Sequence, residues 1–124
     1  MASRNFNRHQ SLEKEVKNIY LDVAIGASGA PTLTKGLGVA SIARTAAGEY
    51  DITLDDKYVR LMHASMVHEA AAGEDLTMQI ESEDVSGTKV VKIFTNTGGG
   101  YSADPSNGAR LFIKLELKNS SSGE

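Results

Sequence analysis

The sequence has no cysteine and no tryptophan, and only two prolines. Without cysteine there is no disulfide framework, no thiolate zinc site and no cysteine nucleophile, so stability has to come from packing or association. Aromatic residues make up only 6%, which leaves the core to Val, Ile, Leu and Ala. Also missing is any run approaching the ~18 apolar residues of a membrane span. The opening MASRNFNRHQ is polar, where a secretory signal would need an apolar segment. The expectation is a protein made and kept in the cytosol unless it leaves inside a larger particle, with no membrane partner.

What is present is ordinary for a folded domain: 124 residues, 40% hydrophobic and 23% charged. That length holds one core and is too short for two. The net charge of -3 is segregated. Residues 69–84 carry Glu69, Glu74, Asp75, Glu81, Glu83 and Asp84 with no Lys or Arg, whereas residues 1–18 carry Arg4, Arg8, Lys14 and Lys17 against Glu13 and Glu15. Nucleic-acid binding needs a basic stripe with interleaved aromatics, and a weakly basic arm on an acidic body does not supply it. No direct nucleic-acid partner is expected.

Residues 1–10 lack apolar periodicity and read as an extended or disordered arm. SLEKEVKN, residues 11–18, has Ser11 as a candidate N-cap and Glu13 four residues before Lys17, enough for one or two helical turns that need a partner surface. From Ile19 the period becomes two: Ile19, Leu21, Val23 and Ile25 share one face, Tyr20, Asp22 and Ala24 the other. This is a half-buried strand. Residues 26–38, GASGAPTLTKGLG, read as a loop. Val39 to Arg44 is a short apolar stretch, and Glu49 to Leu54 alternates, with Ala47-Gly48 suited to the hairpin turn between them.

Residues 59–68, VRLMHASMVH, have a mixed period compatible with helix or strand, and strand neighbours on both sides favour strand. Leu76 to Glu81 alternates, SEDVSG turns, and TKVVKIFT returns, a hairpin signal. Residues 96–108, NTGGGYSADPSNG, belong at a surface. In the last strand Leu111, Ile113, Leu115 and Leu117 share one face, and NSSSGE is a polar tail. Seven or eight short strands without a crossover helix predict an all-β fold, an antiparallel β-sandwich or jelly-roll-like barrel with an extended N-terminal arm. The expected division is arm 1–18, sandwich domain 19–118 and flexible C-terminal tail 119–124. The expected core includes Ile19, Leu21, Val23, Ile52, Leu54, Leu76, Met78, Ile80, Leu111, Ile113 and Leu115.

Catalytic signals are weak throughout. His63 and His68 are five apart, which on a strand places them on opposite faces, unsuited to chelating one metal. Asp51, Asp55 and Asp56 lack the glycine and terminal glutamate of a calcium loop and read as turn formers. The glycines at 26–30 and 98–100 neither open a helix nor precede a Lys-Ser/Thr pair, so they do not form a phosphate loop. No serine sits in a nucleophile elbow, and no carboxylate pair stands out. The reading is a protein without enzymatic activity, cofactor or metal.

The stretch VASIARTAAGEYDITLDDKYVRL, residues 39–61, preceded by VAIGASGAPTL (23–33) and closed by GARLFIKLEL (108–117), resembles the small virion structural proteins of tailed bacteriophages. These are capsid decoration (cement) or head-fibre subunits of the β-sandwich type. The resemblance implies a decoration protein on the outer surface of the head, assembled in the host cytoplasm, with the major capsid protein as partner and a homotrimer as the associated state. The alternative is a tail-fibre or spike module binding a host receptor or glycan, for which clustered exposed aromatics would be expected. A lectin-like or regulatory binding module is a third class. For the decoration role, the basic arm is expected to meet carboxylates on the capsid. Arg4 and Arg8 are the foremost contact candidates and Lys14 and Lys17 join them, against the alternative of a tail with no role.

Overall fold

A computed structural model describes residues 15–97 and 102–119. Eight strands follow one another: β1 (Val16–Ile25), β2 (Pro31–Lys35), β3 (Val39–Ala46), β4 (Glu49–Leu54), β5 (Arg60–Glu69), β6 (Leu76–Asp84), β7 (Val90–Thr97) and β8 (Arg110–Lys118). A short 3-10 turn at Ala27–Gly29 separates β1 from β2. The strands form two antiparallel four-stranded sheets, ordered β2-β1-β8-β5 and β3-β4-β7-β6, packed face to face as a sandwich. Alternation explains the packing. Ile19, Leu21, Val23 and Ile25 of β1 and Leu111, Ile113, Leu115 and Leu117 of β8 are buried, facing Tyr50, Ile52 and Leu54 of β4 and Val91 and Ile93 of β7.

The first and last strands pair along nine residues, from Val16 opposite Lys118 to Ala24 opposite Arg110. That pairing corrects the expected boundary of the arm. Residues 16–18 are strand, not helical turn, because β8 reaches Lys118 and its backbone groups need partners. The Asn119 N–H also donates to the Glu15 carbonyl at 2.8 Å. Residues 26–38 are likewise more than a loop: TLT between Pro31 and Lys35 supplies β2, with Leu33 packed against the core. Proline is tolerated there because it opens an edge strand. The strand reading of residues 59–68 matches β5.

Leu76, Met78 and Ile80 are half-buried, not fully enclosed. They point inward, but β6 is an edge strand and covers only one side of them. All four edges carry features that discourage strand addition. β2 has five residues with Pro31 and Lys35 at its ends, and β3 has two register shifts. β5 shifts between Leu61 and His63, and β6 between Ile80 and Ser82, with Glu81, Glu83 and Asp84 alongside. These features favour association through the faces or the loops of the domain over strand addition.

Candidate docking surface

Once one phase of β1 and β8 is committed to the core, the other phase must face outward. On β1 that phase is Asn18, Tyr20 and Asp22, and on β8 it is Arg110, Phe112, Lys114 and Glu116. The register places Tyr20 opposite Lys114 and Asp22 opposite Phe112. On the other side of β8, Val67 of β5 lies opposite Phe112. Tyr20 is 61% exposed, Phe112 40% and Val67 69%, and Leu37, in the turn after β2, is 84% exposed. The outer face of the other sheet is more polar: Asp51 sits opposite Lys92, Asn96 donates to Gln79 at 3.0 Å, and Phe94, between Glu49 and Gln79 in register, is half-buried. Large apolar groups gathered on one solvated face need a reason beyond folding.

Between β2, β1 and β8 this face has a concavity of about 540 Å³ lined by Asn18, Tyr20, Asp22, Lys35, Leu37, Phe112 and Lys114, with Leu21 and Ile113 beneath. Its charges are unevenly satisfied. Arg110 grips both carboxylate oxygens of Asp22, lies 3.8 Å from Glu69 and has its guanidinium 5.1 Å from the Phe112 ring centre. The hydrogen bond to Asp22 holds Arg110 still more firmly protonated than usual. Lys114 reaches Glu116 at 3.1 Å and sits 6.0 Å from the Tyr20 ring. Lys35 has no ion-pair partner among the described residues.

At one end of the sandwich a second cluster fixes three connections. Asp104, in the β7–β8 connection, accepts from Arg44 Nε and Nη2 at 2.9 Å each and from the Gly48 N–H at 2.8 Å. Tyr50 donates its hydroxyl to the Gly29 carbonyl at 2.8 Å. Thr95 and Ala103 exchange two further bonds, Ala103 N–H to Thr95 O at 2.8 Å and Thr95 Oγ1 to Ala103 O at 2.7 Å. The cluster is a structural clamp. The Arg44 hydrogen bonds hold the Asp104 carboxyl below the usual carboxylate range despite opposing desolvation, and burial pushes Tyr50 up to about 12.

These shifts set the pH dependence of stability. Asp104 binds its proton less readily folded than unfolded, so its contribution is present above ~4, the ordinary Asp value. It is lost as pH falls through the depressed folded value. Tyr50 acts in the opposite range: its contribution is present below ~10 and fades as pH rises toward about 12. Asp104→Asn should therefore flatten the acid limb of the melting-temperature profile more than the alkaline limb, where Tyr50 loses only the Asp104 share of a shift caused mainly by burial. Tyr50→Phe should do the reverse. An unaltered acid limb in Asp104→Asn would remove the clamp's electrostatic role.

Of the residues expected to touch a partner, Arg4, Arg8 and Lys14 lie outside the described residues, as does Tyr101. Lys17 is not on an arm. It is exposed near the start of β1 opposite Leu117, in the inward phase, so it is not on the Tyr20 face. His63 lies opposite Glu116 on the outer face, while His68 is half-buried in the inward phase, 3.6 Å from Glu74. Asp55 and Asp56 form the bend after β4. Among the described residues no three His, Asp or Glu side chains gather as a metal site. Sequence reasoning missed the Tyr20 face as a site, although a tyrosine and a phenylalanine in the outward phases of β1 and β8 were its signal. Compared with known proteins, the chain matches no family model, no curated protein and no solved structure.

Proposed function

We propose that this chain is a non-enzymatic docking subunit, a decoration protein that binds the outer surface of a bacteriophage head and stabilises it. One observation supports docking most directly: Tyr20, Leu37, Val67 and Phe112, four of the five large exposed hydrophobics among the described residues, lie on or beside one sheet face. The virion assignment rests on the resemblance of residues 23–33, 39–61 and 108–117. A protein that binds only the mature lattice stabilises it by mass action, and symmetry repeats each weak contact many times. In this reading the subunits form a homotrimer, the major capsid protein is the partner, and Arg4, Arg8 and Lys14 add charge-assisted contacts from the N-terminal segment.

The test is co-sedimentation with purified undecorated heads. The full chain should bind saturably and raise the temperature at which the heads disrupt, and no binding would overturn the assignment. Because β1 begins at Val16, a truncation probing the N-terminal segment has to start at Glu15, which keeps the strand whole. That truncated chain should keep its β spectrum and bind heads more weakly. A second reading, a receptor- or glycan-binding module of a tail fibre or spike, draws support from Tyr20 and Phe112, the exposed aromatic pair such a module calls for.

A further inference from the structure

The concavity on the β2-β1-β8-β5 sheet has a chemistry of its own, and it discriminates between classes of ligand. Its walls are two aromatic rings, Tyr20 and Phe112, and the exposed Leu37. Its rim carries two ammonium groups, Lys35 and Lys114. The one carboxylate in the lining, Asp22, has both oxygens already engaged by Arg110. A sugar ring presents many hydroxyls, each needing a donor or acceptor, and the Asn18 amide is the only neutral polar side chain apart from the Tyr20 hydroxyl in the lining. Burying hydroxyls without partners is unfavourable. A cationic ligand would meet the two lysines with no free carboxylate to offset them.

We infer that the concavity is a socket for an apolar side chain flanked by carboxylates, presented by a protein segment of the surface on which this subunit docks. This inference rests on the docking function proposed above and names the chemistry of the contact. The apolar group lies between Tyr20, Leu37 and Phe112, where a central buried anchor supplies most of an interface's energy. The flanking carboxylate meets Lys35, which has no competing ion pair among the described residues, and a second meets Lys114 in exchange for or alongside Glu116. Charge complementarity sets the register of the segment, while the apolar anchor sets its affinity. The guarded sheet edges discourage strand addition, and the contact is made by side chains on the face.

Two measurements test the socket. In the first, amide chemical shifts are followed while acetyl-Glu-Phe-Glu-amide is added at millimolar concentration, with glucose, galactose, N-acetylglucosamine and glucuronate titrated in parallel. The peptide should perturb β1, β8 and the turn at Leu37, and Lys35→Glu should abolish the effect without changing the rest of the spectrum. Perturbation by a sugar in place of the peptide, or by neither, would overturn the inference. In the second, Tyr20→Ser and Lys35→Glu are compared with Lys92→Glu, on the opposite sheet, in binding to undecorated heads. The first two should weaken binding at least about tenfold, the equivalent of ~1.4 kcal/mol, and Lys92→Glu should leave it unchanged. If the unaltered chain binds heads and all three variants bind equally, the socket is wrong and the decoration role stands. If the unaltered chain does not bind heads although the peptide occupies the concavity, the socket stands as a protein contact and the decoration role falls.

Discussion

Leu115→Ala should lower the unfolding free energy by about 2–5 kcal/mol, the range for emptying a fully buried leucine site. Leu115 is completely enclosed on β8, between Ile19 of β1 and Ala64 of β5 in register, and β8 is an interior strand of its sheet. Neighbours held by ladder bonds on both sides cannot collapse into the void, which keeps the loss toward the upper part of that range. A domain of this size is stable by only ~5–15 kcal/mol, so this single change removes a large share of the total. Leu76→Ala provides the comparison. The same atoms are removed from edge strand β6, where Leu76 is half-buried, so a clearly smaller loss is expected. Both are read from the midpoint of denaturant unfolding at unchanged slope. Equal losses at the two sites would contradict the placement of the core between β1, β8, β4 and β7.

That contrast marks how far alternation alone carries a reading. A period of two in Leu111, Ile113, Leu115 and Leu117 identifies a strand and its buried face, and β8 is as the pattern implies. The same period in Leu76, Met78 and Ile80 identifies a face but not a position within the sheet, so their half-burial was not legible. Position is set by which strands pair, and those pairings are long-range: β1 with β8, β4 with β7. Short elements were also hidden. β2 has only five residues between glycine-rich flanks, and the start of β1 is masked by a Glu13–Lys17 spacing that suits a helix.

The docking face was legible in part. Tyr20 and Asp22 fall in the outward phase of β1, and an aromatic side chain there is unusual for a solvated face. Phe112 gives the same signal on β8. What no local pattern supplies is that Lys35 and Leu37, from β2 and the turn after it, complete the same concavity. The Asp104 clamp was out of reach for a similar reason, since Asp104 and Arg44 are 60 residues apart and meet only because β3, β4 and β7 are neighbours.

Gly48→Ala should destabilise the domain by roughly 2–6 kcal/mol, combining about 1–3 for left-handed strain with about 1–3 for buried hydrogen bonds left unmade. Gly48 has φ of 69°, and a Cβ there would stand 2.3 Å from the Ala103 nitrogen and 2.8 Å from the Thr95 carbonyl oxygen. Both obstacles are backbone, so relief requires moving the Ser102–Pro105 segment off β7. Moving it breaks the Thr95–Ala103 bonds and withdraws Asp104 from Gly48 and Arg44. Gly108→Ala isolates the first contribution. Gly108 has φ of 92° with open space where its Cβ would be, so it carries the strain without the collision. Thermal melts should therefore order the variants as Gly48→Ala below Gly108→Ala below the unaltered chain. Hydrogen exchange at the Thr95 and Ala103 amides should accelerate in Gly48→Ala alone. Gly48→Ala no worse than Gly108→Ala, with both amides still protected, would show that the clamp yields to a methyl group and does not hold the β7–β8 connection in place.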